Sequence, residues 1–324
     1  MLRVLHVSTM RCGGAETLLV NLHRNIDRDK LQFDYFCYDK EGRYYQYYEN
    51  IVRELGGKVW HFKHPRELGI YGTYRVFRDF LMEHPEHRIV HGHVWYSAIQ
   101  LMAAKKNGRI CIAHSHSSSD ISMSWRKSIL KIPFIYPARH LADYLFACSP
   151  QAGVDKFGRK AKVRFLRNGI DTGRYTFNPE TRRAVRESRG VTSEGTLVLG
   201  HVGSLSPVKN HKFLVEVFRE IHNRVPNSKL WLLGGGELED EIRAQVHALG
   251  LEDAVDFVGI TDRVSEYLMG MDVFVFPSFH EGLSIALLEA QASGVPCVVS
   301  SGNQDEGIVS DRVRRLRLGP PPST

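Results

Sequence analysis

The sequence predicts an α/β protein made of two consecutive doubly wound domains, each a parallel sheet covered by helices. Its 324 residues suit two domains of ordinary size. Short apolar runs of strand length alternate with amphipathic segments of helix length, which is typical of parallel sheets. A turn-rich segment from Asn168 to Gly195 interrupts this alternation and predicts the junction between the domains.

The predicted strands of the first half are rich in Val, Ile and aromatic residues, as buried parallel strands are. They are Leu2–Ser8, Leu31–Tyr38, Lys58–Phe62, Arg88–His93, Ile110–Ser115, Tyr144–Ser149 and Val163–Arg167. Helices are predicted between them near 14–25, 43–55, 71–84, 95–107, 124–141 and 150–157. We therefore assign residues 1–170 to a Rossmann-like N-terminal domain.

A second series of strands follows a connection at 171–195, in which only Glu180–Ser188 is predicted as helix. The strands are Thr196–Val202, Lys229–Leu233, Ala254–Val258, Val273–Pro277 and Pro296–Ser300, and the helices lie near 210–224, 237–249, 263–270 and 285–293. Residues 196–300 thus form a second domain of five strands. The apolar pattern stops after Ser300, so 301–324 is predicted to be an atypical tail without a closing strand.

The composition excludes several classes of protein. With 43% hydrophobic and 24% charged residues, the chain is not a disordered tail, a disulfide scaffold or a fibrous repeat. No apolar run approaches the ~20 residues that span a bilayer, and the N-terminus lacks a signal peptide, so we expect a cytoplasmic protein. The five cysteines form no C-x-x-C pair and are expected to be mostly buried. The net charge of +7 permits nucleic acid, an anionic membrane or an anionic small substrate as partner.

The segment 279–294 carries the most informative functional pattern. It predicts a turn with Glu281 and Gly282, then a helix whose N-cap is Ser284. Amide groups at such a helix start bind anions, here a diphosphate. The carboxylates of Glu281 and Glu289 would repel phosphate, so we expect them to bind neutral hydroxyls, as on a sugar and a ribose.

Two further glycine turns follow predicted strands. Gly203 permits close approach of a ligand to the backbone, and Lys209 can meet a phosphate as a point charge. Gly13 and Gly14 open the first helix and resemble an anion-binding turn. The latter pattern is neither G-x-G-x-x-G nor a P-loop, so we discount a dinucleotide.

Two His-x-His pairs end predicted strands, His91 with His93 and His114 with His116. Alternate residues share one face of a strand, so each pair could bind a metal ion. A metal site would need a third ligand, and carboxylates that accept hydrogen bonds from the ligating histidines. Only Asp120 is near in sequence. We therefore predict no metal and expect one or two of these histidines to face a cleft, where they donate or accept hydrogen bonds.

The stretch from Trp125 to His140 is basic, apolar and aromatic. It predicts either a partly buried helix or peripheral contact with an anionic membrane through residues 122–140. No nucleic-acid-binding module is recognisable, so we predict no nucleic-acid partner.

Taken in order, these motifs resemble glycosyltransferase family 4, the retaining enzymes of the GT-B fold, and most of all those of bacterial exopolysaccharide and capsule synthesis. The matching segments are Gly13–Glu16, His114–Ser117, Cys148–Pro150, Asn168–Asp171, Val202–Gly203, Lys209–Asn210 and the E-x7-E pair of Glu281 and Glu289. The resemblance runs from residue 1 to about 300. It implies two Rossmann-like domains that face a cleft.

The resemblance also implies a nucleotide-sugar donor, usually a UDP-sugar, bound mainly by the second domain without metal or cofactor. Donor contacts are implied for Gly13, Gly14, Gly203, Ser204, Lys209, Gly235, Gly236, Glu281, Gly282, Leu283, Ser284 and Glu289. Glu289 would hold the ribose, Lys209 the diphosphate and Glu281 the hexose. His116 would lie beside the transferred sugar, which makes Glu281 and His116 the implied catalytic pair. The implied acceptor is a glycan or lipid-linked glycan at the inner face of the plasma membrane.

The chain departs from the family at two places. Ser204 stands where many members have Arg, which could cost ~1.5–3 kcal/mol of diphosphate binding unless Arg11 substitutes. The chain also lacks the family's final segment, so we expect truncation or a frame change. Two alternatives therefore stay open, an inactive UDP-binding remnant and a UDP-GlcNAc 2-epimerase. The E-x7-E helix start argues against the epimerase.

Overall fold

The computed structural model describes residues 1–8, 13–39, 45–93, 97–116, 138–193 and 195–318. The chain divides into two compact units, Met1–Asn168 and Gly169–Thr324, which we call unit 1 and unit 2. The division lies just before residue 170, the end of the predicted first domain. The predicted membrane-contact segment 122–140 and the helix at 124–141 lie almost entirely outside the described residues.

Unit 1 contains one parallel sheet of seven strands. The strands are β1 (Leu2–Ser8), β2 (Leu31–Asp39), β3 (Val59–Lys63), β4 (His87–Gly92), β5 (Ile110–Ser115), β6 (Tyr144–Ala147) and β7 (Val163–Phe165). The helices are α1 (Gly14–Asn25), α2 (Tyr45–Glu54), α3 (Pro65–Glu83), α4 (Ala98–Lys106) and α5 (Pro150–Phe157). The spatial order β3-β2-β1-β4-β5-β6-β7 reverses direction between β1 and β4, the switch point of a doubly wound sheet.

Strand β1 shows how this sheet is buried on both faces. Leu5 and Val7 pack into one core with Phe36 and Phe77, whereas Val4 packs into a second core on the opposite face. Alternate residues of a strand point to opposite faces, so two cores explain the continuous apolar run.

Helix α3 begins earlier than the predicted 71–84. Pro65 occupies its first turn, and the His64 ring accepts a hydrogen bond from the Arg66 amide at 3.2 Å. Gly69 interrupts the helix with φ 66° and ψ 179°. The prediction missed this first turn because a glycine with left-handed φ separates it from the regular helix.

Unit 2 repeats the architecture with six parallel strands. The strands are β8 (Leu197–Val202), β9 (Ser228–Leu233), β10 (Val255–Gly259), β11 (Val273–Phe276), β12 (Cys297–Ser300) and β13 (Val313–Leu316). The helices are α6 (Pro179–Glu187), α7 (His211–Arg224), α8 (Glu239–Ala248), α9 (Val264–Gly270) and α10 (Ile285–Ala292). The order β10-β9-β8-β11-β12-β13 again reverses at the first strand. Both units are therefore Rossmann-like, as the sequence predicted.

The predicted tail at 301–324 contains a strand that the sequence analysis missed. Strand β13 pairs in parallel with β12, with Cys297 opposite Val313 and Ser300 opposite Leu316. Its four residues are Val-Arg-Arg-Leu, and the last three are exposed at the edge of the sheet. An edge strand needs little apolar sequence, so the pattern gave no strand signal.

The segment 171–195 is part of unit 2 and not a separate connection. Val185 and Val191 are buried in the core of unit 2 together with Tyr175. Helix α6 begins after Asn178, whose side chain accepts hydrogen bonds from two amides at 2.8 and 3.0 Å. Turn residues at both ends of the helix produced the pattern that we interpreted as a linker.

Within the described residues, no helix is long and apolar enough to cross a bilayer. Cys37, Cys111, Cys148 and Cys297 are buried and carry no disulfide, whereas Cys12 lies outside the described residues. Burial raises the pKa of Cys111 and of Cys297 to about 12. The prediction that the cysteines are mostly buried is confirmed for these four.

Candidate active site

The candidate site of unit 2 lies where its sheet changes direction. Strands β8 and β11 are parallel neighbours, and the loops after them carry Gly203 and Glu281 respectively. Ligands of doubly wound proteins bind at the carboxyl ends of the strands at such a switch point. The topology therefore brings together two motifs that are far apart in the sequence.

Lys209 and Glu281 form an ion pair at this position. The Lys209 Nζ lies 2.7 Å from Glu281 Oε1, and the two side chains are 17% and 12% exposed. The same ammonium group lies 4.6 Å from the centre of the Phe276 ring, a cation–π contact. The family resemblance implies separate contacts for these two residues, with the diphosphate and with the hexose, and the structure places their side chains in contact.

Glycines allow the backbones of the loops after β8 and β9 to come into direct contact. Gly234 has φ 126°, and a Cβ atom there would lie 2.1 Å from the Gly203 carbonyl oxygen. A Cβ atom on Gly236 would lie 2.4 Å from the Leu205 oxygen, and the Leu205 amide donates to the Gly235 oxygen at 3.1 Å. The predicted residues Gly203, Gly235 and Gly236 are therefore adjacent, and Gly234, absent from the prediction, makes the tightest contact.

Ser204 lies in the same loop and brings no charge to it. Its hydroxyl oxygen lies 3.2 Å from that of Ser206. Arg11, which the sequence analysis named as a replacement for the family's arginine, lies outside the described residues. The nearest described cation on this loop is that of Lys209.

The turn from Glu281 to Ser284 leads into α10 as predicted. The Glu281 amide donates to the Gly302 oxygen at 3.0 Å, and the Ser284 hydroxyl caps the helix by accepting from the Leu287 amide at 3.4 Å. Leu283 is buried, so its side chain contributes to packing. The backbone of Gly282 and the first turn of α10 lie at the positive end of the helix dipole, which favours an anion.

Glu289 lies inside α10 and is buried. The Tyr175 hydroxyl donates a hydrogen bond to its Oε1 at 2.6 Å. Burial raises the pKa of Glu289 to about 7, although the bond from Tyr175 and the charge of Arg174 oppose the rise. Tyr175 was not predicted as a site residue, because 114 residues separate it from Glu289 and only the fold brings the two together.

In unit 1, Gly13 and Gly14 begin α1. The Gly13 oxygen accepts the Thr17 amide at 3.0 Å, and a Cβ atom on Gly14 would meet nothing within 4 Å. The helix start is thus accessible, as an anion-binding turn requires. The preceding residues 9–12 lie outside the described part of the chain.

His116 is the end of a chain of three hydrogen-bonded imidazoles. Its Nε2 lies 2.8 Å from His93 Nδ1, and His93 Nε2 lies 2.8 Å from His6 Nδ1. Burial, and then the charge of Lys156, lower the pKa of His116 to about 4, so the ring is neutral at pH 7. The His-x-His pattern drew attention to His93. His6 was not predicted as a site residue, because its position within β1 resembles an ordinary core position.

Two family models match the chain, one in each unit. The model described as Glycosyltransferase Family 4 matches residues 12–174, and that described as Glycosyl transferases group 1 matches residues 196–319. The two matches cover the first and the second Rossmann-like unit respectively.

Curated relatives and solved structures agree with these matches. The glycosyltransferase EpsF of Bacillus subtilis is 32% identical over 98% of this chain and 84% of its own. The UDP-Gal:alpha-D-GlcNAc-diphosphoundecaprenol alpha-1,3-galactosyltransferase of Escherichia coli is 27% identical over 71% of this chain and 62% of its own. The crystal structure of Anabaena HepE with UDP and glucose superposes with a TM-score of 0.79 at 19% identity, over 99% of this chain and 86% of that one; at this identity it supports the fold alone.

The fold and these matches define a glycosyltransferase of the GT-B type, an enzyme of polysaccharide or glycoconjugate synthesis. The chain belongs to glycosyltransferase family 4.

Proposed function

We propose that this enzyme transfers a hexosyl unit from a UDP-sugar to a glycan or lipid-linked glycan acceptor in surface polysaccharide synthesis, with retention of anomeric configuration. The observation that carries the proposal is the Lys209–Glu281 ion pair beside the start of α10. A cation, helix amides and a carboxylate at one switch point suit a ligand that combines a diphosphate with sugar hydroxyls.

The donor contacts are those that the family resemblance implies, and they suit the chemistry of each group. Lys209 and the amides of Gly282 and Ser284 bind the diphosphate, and Glu281 accepts hydrogen bonds from the hexose. Glu289 accepts hydrogen bonds from the ribose hydroxyls. The pairing of Lys209 with Glu281 orients both side chains before the donor arrives, which lowers the entropy cost of binding.

The comparisons support the donor class and the kind of acceptor. The Escherichia coli relative uses UDP-Gal and a lipid-diphosphate acceptor by name. Another relative, from Mycobacterium tuberculosis, is named for GDP-mannose, so the nucleotide must be tested directly.

The proposed reaction needs no protein nucleophile. The acceptor oxygen bonds to the anomeric carbon on the face from which the phosphate oxygen departs, and the acceptor proton passes to that phosphate oxygen. Helix amides and Lys209 stabilise the negative charge of the leaving UDP in place of a metal ion. His116 of unit 1, neutral at pH 7, is proposed to contact the transferred sugar.

The test is UDP release from a panel of UDP-glucose, UDP-galactose, UDP-GlcNAc and GDP-mannose, with and without lipid-linked glycan acceptors. We expect acceptor-dependent UDP release that Glu281→Gln lowers by about 100-fold. Glu306→Gln, an exposed carboxyl of the same unit, is the matched control and should retain activity. Product NMR should show the anomeric configuration of the donor, and EDTA should leave the rate unchanged.

Distinct outcomes contradict distinct parts of the proposal. Turnover of GDP-mannose alone would refute the UDP assignment and keep the transferase. Undiminished activity of Glu281→Gln would refute the site. Acceptor-free conversion of UDP-GlcNAc to an epimer would favour the epimerase, and nucleotide binding without transfer to any acceptor would favour the inactive remnant.

A further inference from the structure

The imidazoles of His6, His93 and His116 form one continuous hydrogen-bonded chain in unit 1. His6 lies in β1, and His93 and His116 directly follow the neighbouring strands β4 and β5. The chain uses both nitrogens of His93, with Nδ1 bonded to His116 Nε2 and Nε2 bonded to His6 Nδ1, each at 2.8 Å. The nitrogens at its two ends, His116 Nδ1 and His6 Nε2, are buried and have no partner among the described residues.

All three rings of this chain are neutral at pH 7. Burial lowers the pKa of His6 to about 3 and the pKa of His116 to about 4. Burial also holds the pKa of His93 well below its usual range. A neutral imidazole carries hydrogen on one nitrogen, and its other nitrogen is an acceptor. Each ring therefore brings one hydrogen to the chain.

The direction of one contact fixes the tautomers of all three rings, because each contact needs one hydrogen. In the first arrangement every ring carries hydrogen on Nε2, so that His116 donates to His93, His93 donates to His6, and His116 Nδ1 remains an acceptor. In the second arrangement every ring carries hydrogen on Nδ1, both contacts reverse, and His116 Nδ1 becomes a donor. Any mixture of the two would leave a contact with two hydrogens or with none.

We propose that His93, supported by His6, is a positioning residue that holds His116 in the Nε2–H tautomer, so that His116 Nδ1 accepts a hydrogen bond from a hydroxyl of the transferred sugar. The Nε2–H form is the more stable tautomer of a neutral histidine side chain, and only the first arrangement gives it to all three rings. The bond made by one ring nitrogen thus decides what the other can do. The sugar contact rests on the proposed function, whereas the tautomer follows from the hydrogen-bonded chain itself.

An acceptor nitrogen at this position selects for a sugar hydroxyl that donates. Fluorine has nearly the size of a hydroxyl group but cannot donate a hydrogen bond. Among analogues of the donor in which one hexose hydroxyl is replaced by fluorine, we expect one to bind about tenfold more weakly than the parent UDP-sugar. That penalty should shrink in His93→Leu, because His116 then has no fixed tautomer.

The first experiment determines the tautomer by proton–nitrogen correlation NMR of the full chain, prepared with isotope-labelled histidine, at pH 7. The signals of His116 are assigned by their loss in His116→Gln. In the wild type we expect hydrogen on Nε2 and a bare Nδ1. His93→Leu removes the acceptor and should give shifts averaged over both tautomers. His93→Asn places a side-chain oxygen near the position of Nδ1, so it should restore the Nε2–H signal.

The second experiment measures transfer and donor binding in the same variants. We expect His93→Leu to lower kcat about tenfold and His93→Asn to recover most of the loss. Calorimetry then compares the UDP-sugar that binds most tightly with its fluorinated analogues, in the wild type and in His93→Leu. Circular dichroism checks that every variant folds.

His91→Leu is the matched control, since His91 is a buried histidine whose ring centre lies 4.1 Å from that of His93. It should leave the tautomer of His116 unchanged. Hydrogen on His116 Nδ1 in the wild type, averaged shifts there, an unchanged tautomer in His93→Leu, or equal affinity for all fluorinated analogues would overturn the proposal. The NMR result needs no turnover, so it stands if the proposed function fails, and active transfer by an enzyme with hydrogen on His116 Nδ1 would refute this inference alone.

Discussion

The carboxyl group of Glu289 changes its charge state near neutral pH. Burial raises its pKa to about 7, and its Oε1 accepts a hydrogen bond from Tyr175. In the free protein at pH 7 the group is therefore only partly ionised. A ribose that donates its hydroxyls to Glu289 would stabilise the carboxylate and lower its pKa again.

We expect the affinity for UDP-glucose to rise about tenfold between pH 6 and pH 8, because only the ionised form of Glu289 accepts two ribose hydrogen bonds. UDP-glucose is suitable because its diphosphate has no group that titrates in this range. Calorimetry in buffers of different ionisation enthalpy should show proton release on binding. Glu289→Gln should bind more weakly at pH 8 and lose the pH dependence; a retained pH dependence would place the titrating group elsewhere.

The same carboxyl predicts a stability change in the protein without ligand. A pKa raised in the folded state means that the folded protein binds more protons, so stability falls as pH rises from about 4.5 through about 7. A rise from the ordinary 4.5 to about 7 corresponds to about 3 kcal/mol. We expect Glu289→Gln to be more stable than wild type by up to that amount at pH 8 and by little at pH 4.5, as measured by urea unfolding. Equal stability at both pH values would contradict the raised pKa.

At the scale of elements, two arginines of α6 form hydrogen bonds with the rest of unit 2. Arg186 donates to the carbonyl oxygens of Gly270 at 3.0 Å and of Thr196 at 2.6 Å, and to Asp272 at 3.1 Å. Arg182 donates to the oxygens of Met269 and Met271 at 2.9 Å. These bonds join α6 to the end of α9 and the start of β8.

Arg186→Met should destabilise unit 2 by about 3 kcal/mol, because it leaves buried carbonyl oxygens and part of the Asp272 charge without a partner. Arg183→Met is the matched control, since Arg183 is exposed on the same helix, and it should cost less than about 0.5 kcal/mol. Denaturant unfolding of both variants measures the difference. Equal and small effects would show that α6 is a loosely attached connection after all.

At the scale of the whole molecule, the chain has 43 basic and 36 acidic residues, a net charge of +7. Such an excess attracts anionic ligands over distances comparable to the screening length. UDP-glucose carries its negative charge on the diphosphate and is uncharged elsewhere.

We expect the affinity for UDP to fall several-fold as NaCl rises from about 0.05 M to about 0.5 M, because salt screens this attraction. Uridine, which has the same base and ribose without phosphate, is the control and should bind weakly and independently of salt. Lys209→Met should flatten the salt dependence of UDP. If uridine and UDP responded alike, charge would not contribute to donor binding.

The amino-acid sequence by itself determined the fold class and most elements of this protein. Buried strands such as β1 and β11 are continuous apolar runs, and the caps and glycines at helix ends are local signals, so both are readable without tertiary information. The turn at Glu281 and the N-cap at Ser284 follow from one short segment. The ordered motifs were sufficient to identify the family.

Only the tertiary structure decided which distant side chains meet. The contacts of Lys209 with Glu281 and of Tyr175 with Glu289 join different elements, and no spacing rule predicts them. The sequence showed two His-x-His pairs but not that parallel neighbours bring them together with His6 in one cluster. The physical reason is that local sequence specifies backbone conformation, whereas strand order specifies proximity.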